Sequence, residues 1–180
     1  LWYAPQADPD AKRFPPTDMS QSIHYEHIGW VLFNTCLSNG NENVAVGMRS
    51  GKFYAGHQHA DNNGFVIHAY GDKLAVDGGY YDWYGSEHFK HYSIQTVAHN
   101  TLLVNGKGQE WHGTGRIDAY FDSPRFGYTV GNAANPDVYR GELSRFDRRI
   151  LFIKPHFVIV NDLVSATEGT PRLDWLLHAH

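Results

Sequence analysis

The chain has 180 residues, of which 42% are hydrophobic, 14% aromatic and 19% charged, and its formal net charge is −4 at pH 7. This length and apolar content predict one domain, or at most two small ones, with a sizeable hydrophobic core. The composition excludes an intrinsically disordered chain and a transmembrane helix. The single cysteine, Cys36, excludes an internal disulfide framework, and the mildly acidic charge gives no support to nucleic-acid binding.

The first 22 residues are rich in Pro, Asp and Gln, and they predict an extended lead-in or linker over 1–22. The folded domain is expected over 23–180. The chain begins with Leu1 rather than Met and shows no signal-peptide pattern. We therefore expect that it is processed or excised from a longer chain.

Short strand-like runs follow one another through most of the chain. The predicted strands are 29–33, 43–48, 65–70, 73–77, 101–104, 149–153 and 156–160. Only the stretch 86–95 is expected to contain a helical turn. Closely spaced strands with Gly-rich turns and almost no helical periodicity predict an all-β fold, an antiparallel β-sandwich.

Three dipeptides between these runs are typical of tight turns. The clearest is Gly71-Asp72, which suits a primed two-residue hairpin turn. Asn105-Gly106 predicts a second hairpin, and Lys154-Pro155 separates a third pair of strands.

Histidine is the unusual residue of this composition, because its count of 12 nearly matches the 15 Lys and Arg residues. Six of the histidines lie close together in the sequence: His57, His59, His68, His88, His91 and His99. Clustered histidines are typical of metal ligation, acid–base chemistry or both. His68 alternates with apolar neighbours, and we interpret it as a residue on the surface of a sheet.

His57 and His59 form a His-x-His pair, and in a strand both imidazoles would project from the same face. Asp77 ends a predicted strand, and His99 precedes Asn100-Thr101 on a later strand. Three ligands of these types with a water molecule are a common zinc arrangement. From spacing alone, the alternative that these are unrelated polar residues beside turns stays open.

Cupins also carry His-x-His on a β-strand, but their pattern has a Glu a few residues after the second His. Here Asn62, Asn63 and Gly64 occupy those positions, and the acidic residue comes earlier, as Asp61. A cupin-like metalloenzyme therefore remains an alternative hypothesis.

A more extensive match lies between about residues 50 and 110, where ordered motifs resemble the C-terminal β-domain of heparinase II/III-like polysaccharide lyases, a pattern shared by oligoalginate lyases and heparinase II. The motifs are Gly56-His57-Gln58-His59-Ala60-Asp61, Tyr70-Gly71-Asp72-Lys73-Leu74-Ala75-Val76-Asp77-Gly78-Gly79-Tyr80, Trp83-Tyr84-Gly85-Ser86-Glu87-His88-Phe89 and Ala98-His99-Asn100-Thr101. Weaker similarity continues to the end of the chain.

The resemblance implies a metal centre. His59, Asp77 and His99 match the zinc ligands of the family. The Zn2+ ion is usually regarded as structural there, since it holds the sandwich strands in register beside the cleft.

The resemblance also implies catalytic residues. His57 matches a histidine that lines the cleft near the substrate carboxylate or the reacting carbon. Tyr84 matches a tyrosine implicated in proton transfer. His88 and Tyr92 belong to the same loop and are candidates for substrate binding.

The implied function is that of a polysaccharide lyase, which breaks a uronic-acid glycan such as alginate or a glycosaminoglycan by β-elimination. A histidine suits the role of base or of carboxylate neutraliser, and a tyrosine can transfer a proton if cationic neighbours lower its pKa. Arg49, Lys52 and Arg116 could steer an anionic glycan, although each one alone is typical of solvated surface charge. A non-catalytic, metal-stabilised carbohydrate-binding module is the alternative from another class.

Members of this family carry a large N-terminal α/α-toroid that contributes further catalytic residues, and nothing before residue 50 resembles it. We therefore expect this chain to supply one wall of the cleft and to need the helical toroid of the same protein as its partner. The other expected partner is an anionic polysaccharide or oligosaccharide, with neither nucleic acid nor membrane. The resemblance implies a periplasmic or extracellular location in bacteria.

Overall fold

The computed structural model of the chain describes residues 19–53, 57–79 and 82–179. Most of the predicted lead-in, residues 1–18, lies outside these ranges, and the first strand begins at Ile23. The eleven strands of the described residues are β1 (Ile23–Tyr25), β2 (Trp30–Asn34), β3 (Val44–Arg49), β4 (Gly64–Ala69), β5 (Asp72–Ala75), β6 (Leu102–Val104), β7 (Arg116–Asp122), β8 (Phe126–Asn132), β9 (Leu143–Ile153), β10 (Phe157–Ala166) and β11 (Leu173–Trp175).

The strands form antiparallel sheets, and the predicted all-β sandwich is confirmed. A five-stranded sheet has the order β1-β2-β3-β4-β5, a four-stranded sheet has the order β10-β9-β8-β7, and β6 pairs with β11. The predicted helical turn is present as a π-helical turn at Phe89–Ser93, followed by a 3-10 turn at Thr96–Ala98. No helix in the described ranges is long and apolar enough to cross a membrane.

Alternation along the strands builds the main core, because every second residue of a strand points to the same face. On β2 and β3 the buried apolar residues include Val31, Phe33, Val46 and Met48, and they belong to one cluster with Ile150 and Phe152 of β9. A second cluster surrounds Tyr139 and Phe146. His68 is exposed on β4 as predicted. The single cysteine, Cys36, is half-buried, with its Sγ 3.3 Å from Ser38 Oγ.

The hairpin between β4 and β5 turns one residue earlier than predicted. Tyr70 and Gly71 have φ values of 57° and 89°, and Asp72 already pairs with Ala69. A primed turn of this kind needs a positive φ at both central positions, and glycine supplies the second without steric cost. Because β5 ends at Ala75, Asp77 lies beyond the strand rather than on it.

The other two predicted turns differ in outcome. Lys154-Pro155 connects β9 to β10 as predicted, with Ile153 paired to Phe157. Asn105 and Gly106 also form a turn with positive φ, but the hairpin there is only a single bridge from Val104 to Lys107. The prediction of a full hairpin is wrong, because the described residues after Lys107 form no strand beside β6, and the strand that pairs with β6 is β11.

A buried arginine joins the second sheet to the loops that lead to the candidate site. The Arg148 side chain is 0% exposed and forms two bonds with Asp162, from Nε at 2.8 Å and from Nη2 at 2.6 Å. Its Nη1 donates to the carbonyl oxygens of Asn63 and Asn100, at 2.7 and 2.6 Å. Since Asn100 follows His99, this arginine helps to fix the backbone of the Ala98–Thr101 segment in place.

Candidate active site

The His-x-His segment is not a strand. The prediction that its two imidazoles project from the same face of a strand is therefore wrong. His57 has a φ of 74°, which interrupts an extended strand, and β4 begins only at Gly64. The two histidines instead have different neighbours: His57 lies beside Tyr84, and His59 lies beside His99.

His59, Asp77 and His99 are neighbours in the structure. The ring centroids of His59 and His99 are 5.1 Å apart, and His99 Nδ1 lies 3.2 Å from Asp77 Oδ1. His99 follows the 3-10 turn in an extended conformation, and it is not on a strand, contrary to prediction. The side chain of Asp77 is about half exposed, so the group opens to solvent on the carboxylate side.

His99 is the buried member of the group, with 1% of its surface exposed. Neither of its ring nitrogens has a hydrogen-bond partner among the described residues, because the close contact with Asp77 is not aligned as a hydrogen bond. Buried polar groups are normally paired, and an unpaired one is costly. The donor set of two imidazoles and a carboxylate suits zinc, yet within the described ranges no three His, Cys, Asp or Glu residues form a ready-made metal cage.

Burial also changes the protonation of this region. Burial, reinforced by the nearby His99, lowers the pKa of His59 below its ordinary value. A histidine with a lowered pKa is neutral near pH 7, which is the form that binds metal ions. Burial raises the pKa of the Asp61 carboxyl, and the Arg49 guanidinium opposes that rise.

An ion pair between Arg49 and Asp61, not predicted from the sequence, lies beside this group. Arg49 is only 4% exposed, so its interpretation as solvated surface charge is wrong. Its Nη2 also donates to the carbonyl oxygen of Lys52, at 3.4 Å. Arg49 and Asp61 line one small cleft together with Asp77. Alternation along β3 places Arg49 on the face opposite Met48, and nothing in the sequence shows that loops cover that face.

His57 and Tyr84 form a second, more exposed group. Their ring centroids are 5.4 Å apart, and the ring of Tyr84 is also 4.7 Å from that of the buried Phe89. His57 is exposed, and Tyr84 is 58% exposed. Both side chains are therefore accessible from solvent.

The helical turn at Phe89–Ser93 connects the two groups. The rings of His88 and Tyr92 stack with centroids 5.2 Å apart, and His88 Nδ1 lies 3.4 Å from Ser93 Oγ. Tyr92 packs against Gly78, where an added Cβ would lie 2.9 Å from the tyrosine hydroxyl. His88 therefore adjoins Phe89, whose ring contacts Tyr84. Tyr92 adjoins Gly78, the residue that follows Asp77.

The remaining polar residues of the motifs have structural contacts. Asn100 Nδ2 donates to the carbonyl oxygens of Phe65 and Val76, at 2.8 and 3.0 Å, and its Oδ1 accepts from the backbone of His178. The buried Thr101 Oγ1 donates to the carbonyl oxygen of Asn62. These bonds fix the segment around His99 and leave its imidazole as the unpaired group.

Comparison with known proteins adds a family match and a set of similar structures. A family model described as heparinase II/III-like, C-terminal, matches residues 17–180. Heparan sulfate lyase HepC from Pedobacter heparinus is 20% identical with a TM-score of 0.72, over 88% of this chain and 24% of that one. The heparinase III BT4657 gene product is also 20% identical, with a TM-score of 0.69 over 82% of this chain and 22% of that one.

A further structure, titled heparinase III, is 15% identical with a TM-score of 0.65, over 82% of this chain and 23% of that one. The chain thus spans less than a quarter of the length of these solved structures, and the likeness to them concerns the fold. No curated protein sequence gives a significant match.

Proposed function

Because the chain belongs to the heparinase II/III-like family, with a match to its C-terminal domain, we propose that it supplies the β-sandwich wall of a polysaccharide lyase active site. The proposed substrate is a uronic-acid glycan, such as a glycosaminoglycan or alginate. The observation that carries the proposal is the exposed pair of His57 and Tyr84, with ring centroids 5.4 Å apart. Among the similar structures are enzymes named as a heparan sulfate lyase and as heparinase III.

The reaction removes a proton from C5 of the uronate and breaks the bond between C4 and O4. The C5–H electron pair forms the new C4–C5 double bond, and the leaving O4 takes the electron pair of its broken bond together with a proton. The carboxylate must be neutralised so that the C5 proton becomes acidic. His57 faces the carboxylate or C5 in this proposal, and the Tyr84 hydroxyl transfers a proton. Further groups come from the helical toroid that we propose as the partner domain.

The test uses the complete protein that contains this chain. It is mixed in turn with heparan sulfate, alginate and neutral dextran, and the ultraviolet absorbance of an unsaturated uronide is followed. We expect the absorbance to rise with at least one uronate glycan and not with dextran. Binding of a uronate glycan without any such product would contradict the proposal and favour the non-catalytic binding module.

A structural zinc site formed by His59, Asp77 and His99 belongs to the same proposal. It is supported by the proximity of the three side chains and by the two unpartnered nitrogens of the buried His99. A Zn2+ ion bound there would supply a positive charge that ties together three loop segments. The ligand residues themselves would then be positioning residues for the neighbouring His57.

Removal of the metal should destabilise the protein, since a metal that binds only the folded state adds its binding energy to folding. We expect a chelator to lower the melting temperature of the wild-type protein by about 5 °C or more. A His99→Ala variant should contain no zinc and show no response to chelator, whereas His68→Ala, at an exposed position on β4, should behave as wild type. A zinc-free wild-type protein with an unchanged melting curve would refute the site.

A further inference from the structure

A groove with a volume of about 390 Å3 lies outside the two groups described above. Three chain segments line it: β1 with its connection to β2, residues 50–52 after β3, and residues 114–117 at the start of β7. The basic and imidazole side chains along it are those of His24, His27, Lys52 and Arg116, and Glu26 is the one acidic residue in its lining. The proposed elimination uses none of these side chains.

The floor of this groove is held by backbone contacts between the three segments. The Ser50 amide donates to the carbonyl oxygen of Gly29 at 2.8 Å, and the Gly115 amide donates to that of Gly51 at 3.1 Å. Gly29 has a φ of 67°, and an added Cβ would lie 2.0 Å from the carbonyl oxygen of Ser50. The groove is therefore preformed, and a ligand would not have to order it.

Three of these side chains are accessible to a ligand in different degrees. Lys52 and His27 are exposed, and Lys52 forms no ion pair with a described residue. Arg116 is 60% exposed, and its Nε and Nη2 are bonded to Asp118 of its own strand, at 2.6 and 3.3 Å. His24 Nε2, by contrast, is a buried atom without a hydrogen-bond partner in the described part of the chain. Ammonium, guanidinium and imidazole donors together favour an anionic group such as a carboxylate or a sulfate.

The aromatic residue Phe53 lies between this groove and His57 along the chain. Phe53 follows Lys52, and its ring centroid is 5.3 Å from that of Trp111 and 4.8 Å from that of His112. Five peptide units separate Lys52 from His57, so their Cα atoms lie at most about 18 Å apart. A linear glycan of several sugar units can span that distance, and aromatic rings offer the apolar faces on which sugar rings pack.

We propose that this groove is a second anionic subsite, which binds a carboxylate or sulfate of the same glycan several sugar units away from the bond that is broken. The proposal rests on the proposed lyase function. It predicts that the protein binds long uronate oligosaccharides more tightly than short ones because of Lys52 and Arg116.

The test compares tetrasaccharides and decasaccharides of heparan sulfate and of alginate as substrates of the complete protein. In the Lys52→Ala/Arg116→Ala double variant, the ratio of the decasaccharide KM to the tetrasaccharide KM should rise about tenfold, as expected for the loss of two exposed charge contacts. The charge-matched control is Lys73→Ala/Arg125→Ala, which removes two exposed cations outside the groove and should leave the ratio unchanged. Lys52→Arg keeps the charge and should also leave it unchanged.

An active double variant with an unaltered KM ratio would overturn the subsite and leave the lyase proposal intact. A wild-type protein that cleaves none of the oligosaccharides would overturn the lyase proposal instead. In that case direct binding of a fluorescently labelled decasaccharide decides: binding about tenfold weaker in the double variant supports the subsite, and equal binding overturns it. Melting curves that match wild type show that the variants are folded.

Discussion

Replacement of Tyr84 by Phe should lower the kcat of the complete protein on its uronate substrate by about 10²- to 10⁴-fold, the usual contribution of one positioned general acid or base. The variant removes only the hydroxyl oxygen. The ring keeps its contacts with His57 and Phe89, and at 58% exposure the side chain contributes little to the core. The melting temperature should therefore stay unchanged.

The rate is measured from the absorbance of the unsaturated product at saturating substrate. Tyr70→Phe is the matched control, since Tyr70 is also an exposed tyrosine, in the turn between β4 and β5. It should behave as wild type. A Tyr84→Phe rate within about twofold of wild type would show that the Tyr84 hydroxyl does not transfer the proton.

The second large effect concerns stability. Asp162→Ala should lower the free energy of unfolding by about 3–5 kcal/mol, because it leaves the buried Arg148 guanidinium without its counter-charge. Arg148 is 0% exposed, and Asp162 accepts from two of its nitrogens and from Trp175 Nε1, at 2.8 Å. Urea denaturation followed by tryptophan fluorescence measures the change.

The control is Asp118→Ala, which breaks an arginine–aspartate pair of similar type on the surface. Arg116 is 60% and Asp118 is 37% exposed, and pairs of this kind contribute at most about 1 kcal/mol. Equal losses in the two variants would contradict the claim that Asp162 compensates a buried charge. The carbonyl oxygens of Asn63 and Asn100 would then be sufficient for Arg148.

The sequence predicts the fold class because several strands can be identified from apolar alternation and flanking turns. The β7–β8 pair is not predicted, and its residues show why. β7 carries the charged residues Arg116 and Asp118, and β8 contains Gly127, a residue that weakens strand patterns. The glycine is required by packing, since an added Cβ would lie 2.5 Å from the ring of Phe33. That contact is between two sheets, so the residues next to Gly127 in the sequence do not predict it.

The candidate site is predictable only in part for a similar reason. The spacing argument for His57 and His59 assumed a strand, and the positive φ of His57 removes that basis. Their proximity to Tyr84 and His99 arises from contacts between segments far apart in the chain, to which the family resemblance points and local periodicity does not. The ion pair of Arg49 with Asp61 has no sequence signal, because loops bury a face of β3 that alternation leaves outside.

The wall formed by His57 and Tyr84 is proposed to serve an elimination. The most direct measurement is mass spectrometry of the products after the complete protein cleaves a uronate oligosaccharide. Elimination predicts fragments whose masses add up to that of the substrate. Products whose masses together exceed that of the substrate by one water molecule would show hydrolysis and refute the proposed elimination.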